Sequence, residues 1–214
     1  MHNISECSLF KGINDEDVKK ILTCLSAKQK SYLKNETIFD SSYNDIKTGI
    51  VINGSVLVTH DDYWGNRSIT AKIGKGGVFG EAIELDVKNR PAIVIAAENT
   101  DVVFINMKKL SSQCSNACIC HKTLIYNMLG IMAEKVAALS LKLEFVTKRT
   151  TREKLMTYLS AESEKAGKTS FSIPFNRQEL ADFFSVDRSA MSAELCKMRD
   201  DGIIMFNKNN FTLL

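Results

Sequence analysis

Arg188, Ser189 and Ser192 follow Asp187 closely, and they put one guanidinium and two hydroxyls on a short stretch. At the N-terminal end of a helix that stands clear of the body, such groups can reach base edges and phosphate oxygens. Asp187 is by type the N-cap of that helix, its carboxylate favoured by the positive helix end. Upstream, Asn176 can accept from the first free amides of a helix beginning at Arg177, and Glu179 can reach back to complete a capping box. Asn176, Arg177 and Gln178 join Asp187, Arg188, Ser189 and Ser192 as candidate DNA contacts. A second cluster lies far upstream, in Gly76-Gly77-Val78-Phe79-Gly80-Glu81-Ala82 followed by Asn89-Arg90-Pro91-Ala92. There Gly80 permits close backbone approach, Glu81 can accept from a sugar hydroxyl and Arg90 can pair with a phosphate.

The elements that hold the first cluster are legible from periodicity. Leu180, Phe183 and Phe184 share a helix face, the pattern breaks at Ser185-Val186, and Met191, Leu195 and Met198 form the apolar stripe of a second helix. Gly202 suits the left-handed position just past its end. Helices of about eight and thirteen residues joined by three or four make a helix-turn-helix. Leu155, Met156 and Leu159 start a preceding helix that ends near Gly167, and Phe171–Ile173, Ile203–Phe206 and Phe211–Leu214 are strand-length. The loop Asn207-Lys208-Asn209-Asn210 is then a wing whose Lys208 can touch phosphate.

Around the second cluster the texture is β-rich. Thr37–Phe39, Gly49–Ile52, Ser55–Thr59, Ser68–Ile73, Ala92–Ala96 and Val102–Ile105 are predicted strands, and seven of the eleven glycines fall between positions 49 and 80. Asn53-Gly54 carries the strongest hairpin signal, Gly65-Asn66 tips another, and Tyr63-Trp64 beside it can face a ligand, a neighbour or RNA polymerase. A sandwich or roll with an apolar interior follows, a place for a small molecule. Residues 3–30 read as helical, with Leu9, Phe10, Val18, Ile21, Leu22 and Leu25 on one side, a cap on the roll. From about Ser115 to Val146 a long helix carries Ile125, Leu129, Met132, Val136, Leu139, Leu143 and Val146 at alternating spacings of four and three. That is a coiled-coil seam, and it predicts a homodimer; one amphipathic helix lying on its own domain is the alternative. The charged run Thr147–Arg152 breaks the stripe as a hinge. The chain is therefore expected to be α+β with three parts: 1–114, an effector-binding domain with its helical cap; 115–146, a dimerisation helix; and 147–214, a winged helix-turn-helix.

Asn176–Ala181, Val186–Leu195, Lys197-Met198 and Asp201–Ile204 resemble the DNA-binding domain of the Crp/Fnr family of bacterial transcription regulators. The resemblance implies that Arg188, which opens the recognition helix, contacts guanine; Ala193 stands where a second family arginine often sits. Gly80, Glu81, Arg90 and Ala92 are similar to the phosphate-binding cassette of cyclic-nucleotide-binding domains, which implies a double-stranded β-helix, the β-roll. Pro91 replaces the cassette's hydroxyl residue, and proline brings neither hydroxyl nor amide hydrogen. In the family the central helix closes over the effector pocket, which brings Met132 and Val136 to it. Val136 and Ala137 fall where the cyclic-AMP receptor protein presents two hydroxyls to adenine. The effector is thus expected to be something other than cyclic AMP, with Glu81 and Arg90 instead paired to each other or to neighbours. A cyclic-nucleotide-responsive regulator is the alternative.

Composition sets the remaining bounds. The 214 residues with 44% hydrophobic content suffice for one large or two modest cores. Net charge is +3, and from Thr147 onward 11 Lys+Arg face 9 Asp+Glu, so DNA affinity must come from placement and pairing of subunits. No uninterrupted run reaches the eighteen apolar residues of a membrane span, and the N-terminus carries no apolar signal core, so a cytoplasmic protein is expected. Cys114, Cys118, Cys120 and His121 lie close together without the spacing of a structural zinc site, and Cys7 and Cys24 are too far apart for a family iron-sulfur motif, so no metal or other cofactor is assigned. A redox-reactive thiol is a further hypothesis. The three histidines form no nucleophile-base arrangement, so no enzyme is expected. The competing class is a ligand- or redox-sensing module whose helix-turn-helix makes protein contacts.

Overall fold

The computed structural model describes residues 4–40, 47–84, 92–111 and 119–214. The chain divides into two compact units, Met1–Gly65 with Thr70–Lys135, and Asn66–Ile69 with Val136–Leu214.

The first unit opens with a 3-10 turn, Ser8–Phe10, and helix α1, Asp15–Cys24, capped by Asn14, which accepts from the Asp17 amide at 2.9 Å. Strands β1 (Lys28–Tyr32), β2 (Thr37–Asp40), β3 (Thr48–Asn53), β4 (Ser55–Asp61), β5 (Arg67–Gly74) and β6 (Val78–Phe79) follow. Then come the short helix α2 (Glu81–Glu84), strands β7 (Ile93–Ala96) and β8 (Thr100–Ile105), and the short helix α3 (Lys108–Ser111). The strands form two four-stranded sheets, ordered β1-β8-β3-β6 and β2-β7-β4-β5. Period-two alternation sorts their side chains. Val51 and Val102 enter one apolar core with Tyr32, Val56, Phe79 and Val94, while Ile50, Val103 and Ile105 enter another with Leu9, Phe10, Val18, Ile21 and Leu22.

Two expectations are corrected here. The helical reading of residues 3–30 stops at Cys24, because Lys28–Tyr32 pairs antiparallel with β8 as a polar strand exposed at four of its five residues. Without apolar alternation it has no sequence signal of a strand. Asn53-Gly54 makes no hairpin: β3 and β4 lie in different sheets, and the chain changes sheet at Gly54. Gly54 has φ +79°, and a Cβ there would stand 2.5 Å from the Asn99 carbonyl oxygen, so only glycine passes this corner without displacing its neighbour. The Gly65 turn does join neighbouring strands, with the Gly65 amide donating to the Asp62 carbonyl at 3.1 Å.

Helix α4 runs from Ile119 to Val146 and carries two apolar stripes. Leu124 and Ile131 are buried in the core under α1, with Met128 packed against it, and Asn127 donates to the Leu9 and Lys11 carbonyls at 2.9 and 2.8 Å. On another face Ile125, Leu129, Val136, Leu139 and Leu143 are 45–64% exposed. By length and composition His121–Val146 would also reach across a bilayer; a count of uninterrupted apolar residues misses it because Lys122, Glu134, Lys135, Lys142 and Glu144 fall within it. The core stripe, Leu124 and Ile131, accounts for part of that apolarity.

The second unit contains α5 (Thr151–Ala166), β9 (Ser170–Ser172), α6 (Arg177–Phe184), α7 (Arg188–Asp200), β10 (Ile204–Asn207) and β11 (Asn210–Leu213). Thr150 and Glu153 close a capping box at the start of α5, and Gly167, φ +64°, ends it. The strands form one antiparallel sheet, β10-β11-β9. Leu155, Leu159, Leu180, Phe184, Met191, Leu195, Met198, Ile204 and Phe211 are buried at 1% exposure or less. Tyr158 meets Phe145 and Phe184 edge to face, each at 5.5 Å between ring centres.

Candidate nucleic-acid interface

Helices α6 and α7 are each started by a side chain three residues ahead of the amide it holds. Asn176 Oδ1 accepts from the Glu179 amide at 2.9 Å, and Glu179 Oε2 accepts from the Asn176 amide at 3.0 Å. Asp187 Oδ1 accepts from the Ala190 amide at 2.7 Å. Between them Ser185 adopts φ +53°, and the Val186 amide donates to the Ala181 carbonyl at 3.0 Å, which turns the chain in a minimum of residues. At the far end of α7 the Ile203 and Gly202 amides return to the Met198 and Arg199 carbonyls, each at 3.0 Å, with Gly202 at φ +71°. This is a Schellman closure. Met191, Leu195 and Met198 seat α7 on its buried side, while Asp187, Arg188, Ser189, Ala190 and Ala193 are exposed. From α5, Arg152 pairs with Glu194 at 3.3 Å and with Asp201, fixing the helix from a second side.

The exposed end thus presents Arg188 without a carboxylate partner among the described residues, beside Ser189. Ser192 is half-buried and donates its hydroxyl hydrogen to the Arg188 carbonyl at 2.8 Å. The wing turn carries exposed Lys208 at φ +51°. The other candidates are already engaged. The side-chain oxygens of Asn176 and Asp187 cap helices, and Gln178 donates to Asp182 at 2.8 Å. Arg177 turns inward: its guanidinium carbon lies 4.9 and 5.0 Å from the Phe206 and Phe211 ring centres, and its Nη1 and Nη2 are buried without a hydrogen-bond partner among the described residues. Burial holds its pKa below the ordinary arginine value.

In the first unit the second cluster assembles around α2. Gly80, φ +83°, lies so close to Phe39 that a Cβ would stand 3.2 Å from its ring. Glu81 is buried, its Oε1 accepting from Lys135 Nζ of α4 at 2.7 Å and its Oε2 without a hydrogen-bond partner among the described residues. Glu81 thus finds its neighbour in Lys135; Arg90 and Pro91 lie outside the described residues. Ala92 is buried, Met132 packs against the core, and Val136 is exposed. Two residues that sequence reasoning missed complete the arrangement. Lys135 interrupts the apolar pattern of α4, and that interruption was its one signal. Glu84 is 4% exposed: Oε2 accepts from the Thr48 amide and hydroxyl, each at 2.6 Å, and Oε1 accepts from the Met107 amide at 2.7 Å. Its signal was a second carboxylate three residues after Glu81 in an otherwise apolar stretch.

Of the cysteines, Cys7 is buried and donates to the Gly76 carbonyl at 2.8 Å, and burial pushes its thiol pKa up. Cys24 is exposed and Cys196 half-buried. Cys114, Cys118 and the side chain of Cys120 lie outside the described residues.

Residues 29–117 match the model of the cyclic nucleotide-binding domain, and residues 153–214 match the Crp-like helix-turn-helix domain. The chain belongs to the Crp/Fnr family of transcription regulators. Solved Crp/Fnr-type structures share its fold. The c-di-GMP-responsive global regulator CLP of Xanthomonas campestris aligns with TM-score 0.73 at 15% identity, covering 94% of this chain and 99% of that one. A mutant CooA from Carboxydothermus hydrogenoformans aligns with TM-score 0.72 at 17% identity, over 91% and 85%. FixK2 from Bradyrhizobium japonicum aligns with TM-score 0.66 at 20% identity, over 87% and 92%. No curated protein matches the sequence. As a Crp/Fnr regulator, the chain pairs a cyclic-nucleotide-binding-type β domain with a DNA-binding helix-turn-helix.

Proposed function

We propose that the chain works in the cytoplasm as a homodimer reading a near-palindromic duplex, with 1–114 receiving a signal, 115–146 joining the subunits and 147–214 contacting DNA. The observation that carries the direct-readout part is Arg188: exposed, uncommitted, and held at the rigid, capped start of α7. Guanidinium recognition of guanine needs that combination, since a mobile or internally paired arginine discriminates poorly. Ser189, Ser192 and Lys208 add phosphate contacts that set register. Support for the dimer comes from the exposed heptad stripe. A two-fold axis lets the exposed Ile125, Leu129, Val136, Leu139 and Leu143, flanked by the half-buried Met132 and Val146, cover one another, and a 3.5-residue repeat keeps the seam continuous. Recognition helices from two subunits then enter successive major grooves, with RNA polymerase as a further partner at the promoter.

The signal is a small molecule or a redox change received in the β-roll, and not cyclic AMP, because Pro91 removes two phosphate donors from the cassette. It acts only through a difference in affinity for two arrangements of the protein. Binding-site selection from random duplexes followed by gel shift at low salt tests the reading, with sedimentation velocity on the same sample for the dimer. A selected near-palindrome and a dimer mass are expected. No retarded duplex would favour a module whose helix-turn-helix makes protein contacts.

A further inference from the structure

Helix α2 is held at three points by Glu84, whose carboxylate takes the Thr48 amide, the Thr48 hydroxyl and the Met107 amide. A force applied at Glu81 is therefore not absorbed by movement of α2 itself. What pulls on Glu81 is Lys135, at 2.7 Å, with the two side chains only 11% and 31% exposed. Lys135 is also the last residue of the first compact unit; from Val136 the same helix belongs to the second. The ion pair thus fixes α4 at the residue where it leaves the roll. Removing one partner of such a sheltered pair leaves the other charge uncompensated, so the pair is either closed or replaced by another donor or acceptor.

Resting on the DNA-binding reading above, we infer that the Glu81–Lys135 pair is a built-in tie between the cassette helix and α4 that holds the ligand-free protein competent for DNA, and that an effector acts by opening it. The tie joins the two elements through the chain's own side chains, so DNA binding does not wait for a cyclic nucleotide. Glu81 Oε2, buried and without a hydrogen-bond partner among the described residues, is the atom at which an opening ligand gains a foothold. Such a ligand carries a hydroxyl or amine donor that completes the carboxylate's shell and competes with the lysine.

Lys135→Met keeps the aliphatic stem and removes the charge; Glu81→Gln keeps the shape; Glu81→Lys combined with Lys135→Glu reverses the pair. Hydrogen exchange on the α4 amides around residues 131–139, measured on full-length protein stripped of nucleotide, should quicken at least about threefold in each single variant and recover in the reversed pair. Affinity for the selected duplex, without added ligand, should fall at least about tenfold in the single variants and return to within about threefold in the reversed one. Wild-type exchange and wild-type affinity in Lys135→Met would overturn the inference, as would wild-type protein that binds DNA only after cyclic AMP or cyclic GMP is added. Should wild type select no duplex at all, the DNA reading falls, while the exchange measurement still decides whether the pair holds the helix.

Discussion

Polar groups in the two halves of this chain have opposite fates. Around α2 they are turned inward and engaged: Glu84 holds three donors, and Glu81 holds Lys135. At the start of α7 the carboxylate of Asp187 is given to the backbone, and Arg188 is exposed without a carboxylate partner among the described residues. The first pattern makes a rigid frame; the second leaves a side chain able to serve as the proposed probe. A chain that detects one thing and touches another needs both, because a recognition side chain keeps its geometry only where the backbone beneath is satisfied by other groups.

If the frame owes its rigidity to these bonds, Glu84→Ala should be the most damaging of the changes that test the contrast. It strands three donors, two of them backbone amides, and should lower stability in urea by about 4 kcal/mol. A loss under about 1 kcal/mol would mean that water replaces the carboxylate, and the contrast between the halves would fail. Arg188→Ala should do the reverse: leave urea stability within about 0.5 kcal/mol and weaken binding to the selected duplex by about 1–3 kcal/mol per half-site, with relaxed preference at one base pair. Unchanged affinity would remove Arg188 from the interface.

Lys142 sharpens the comparison, since it is an internally engaged cation on the DNA-binding side. It donates to the Ile69 carbonyl, lies 4.6 Å from the Phe183 ring centre, and burial lowers its pKa from 10.5 to about 8. Below pH 8 the ammonium is charged folded and unfolded, and the full desolvation cost is present. Between pH 8 and 10.5 the unfolded chain holds a proton that the folded chain has released, so stability rises with pH. Relative to Lys142→Met, wild type should gain on the order of 1–2 kcal/mol between pH 7.5 and 10. A flat difference would show the ammonium to be well solvated. The smallest effect belongs to Asn176→Ala, which removes a cap and should cost about 1 kcal/mol in urea, with weaker DNA binding following only as far as α6 frays. A loss of DNA affinity far beyond that would restore Asn176 as a direct contact.

The legible parts were those made by neighbours in sequence. Both caps at Asn176 and Asp187, the Gly202 closure, the stripe Met191-Leu195-Met198 and the exposed apolar stripe of α4 depend on residues within a few positions of one another, and periodicity exposes them. Arg177 was not legible in the same way. Its position at the start of α6 suggests a phosphate contact, yet Phe206 and Phe211 of the wing, which return from β10 and β11, draw its guanidinium in.

Composition and spacing by themselves determined a β-rich half, a heptad helix and a capped helix pair with Arg188 at its tip, because helices and turns are closed by contacts three to five residues apart. Only the folded chain decided that Gly54 changes sheets, that Lys28–Tyr32 is a strand, and that Glu84 meets Thr48 across 36 residues and Glu81 meets Lys135 across 54. A buried carboxylate takes whichever donors the returning chain brings to it, and that return is set by the packing of whole sheets and helices.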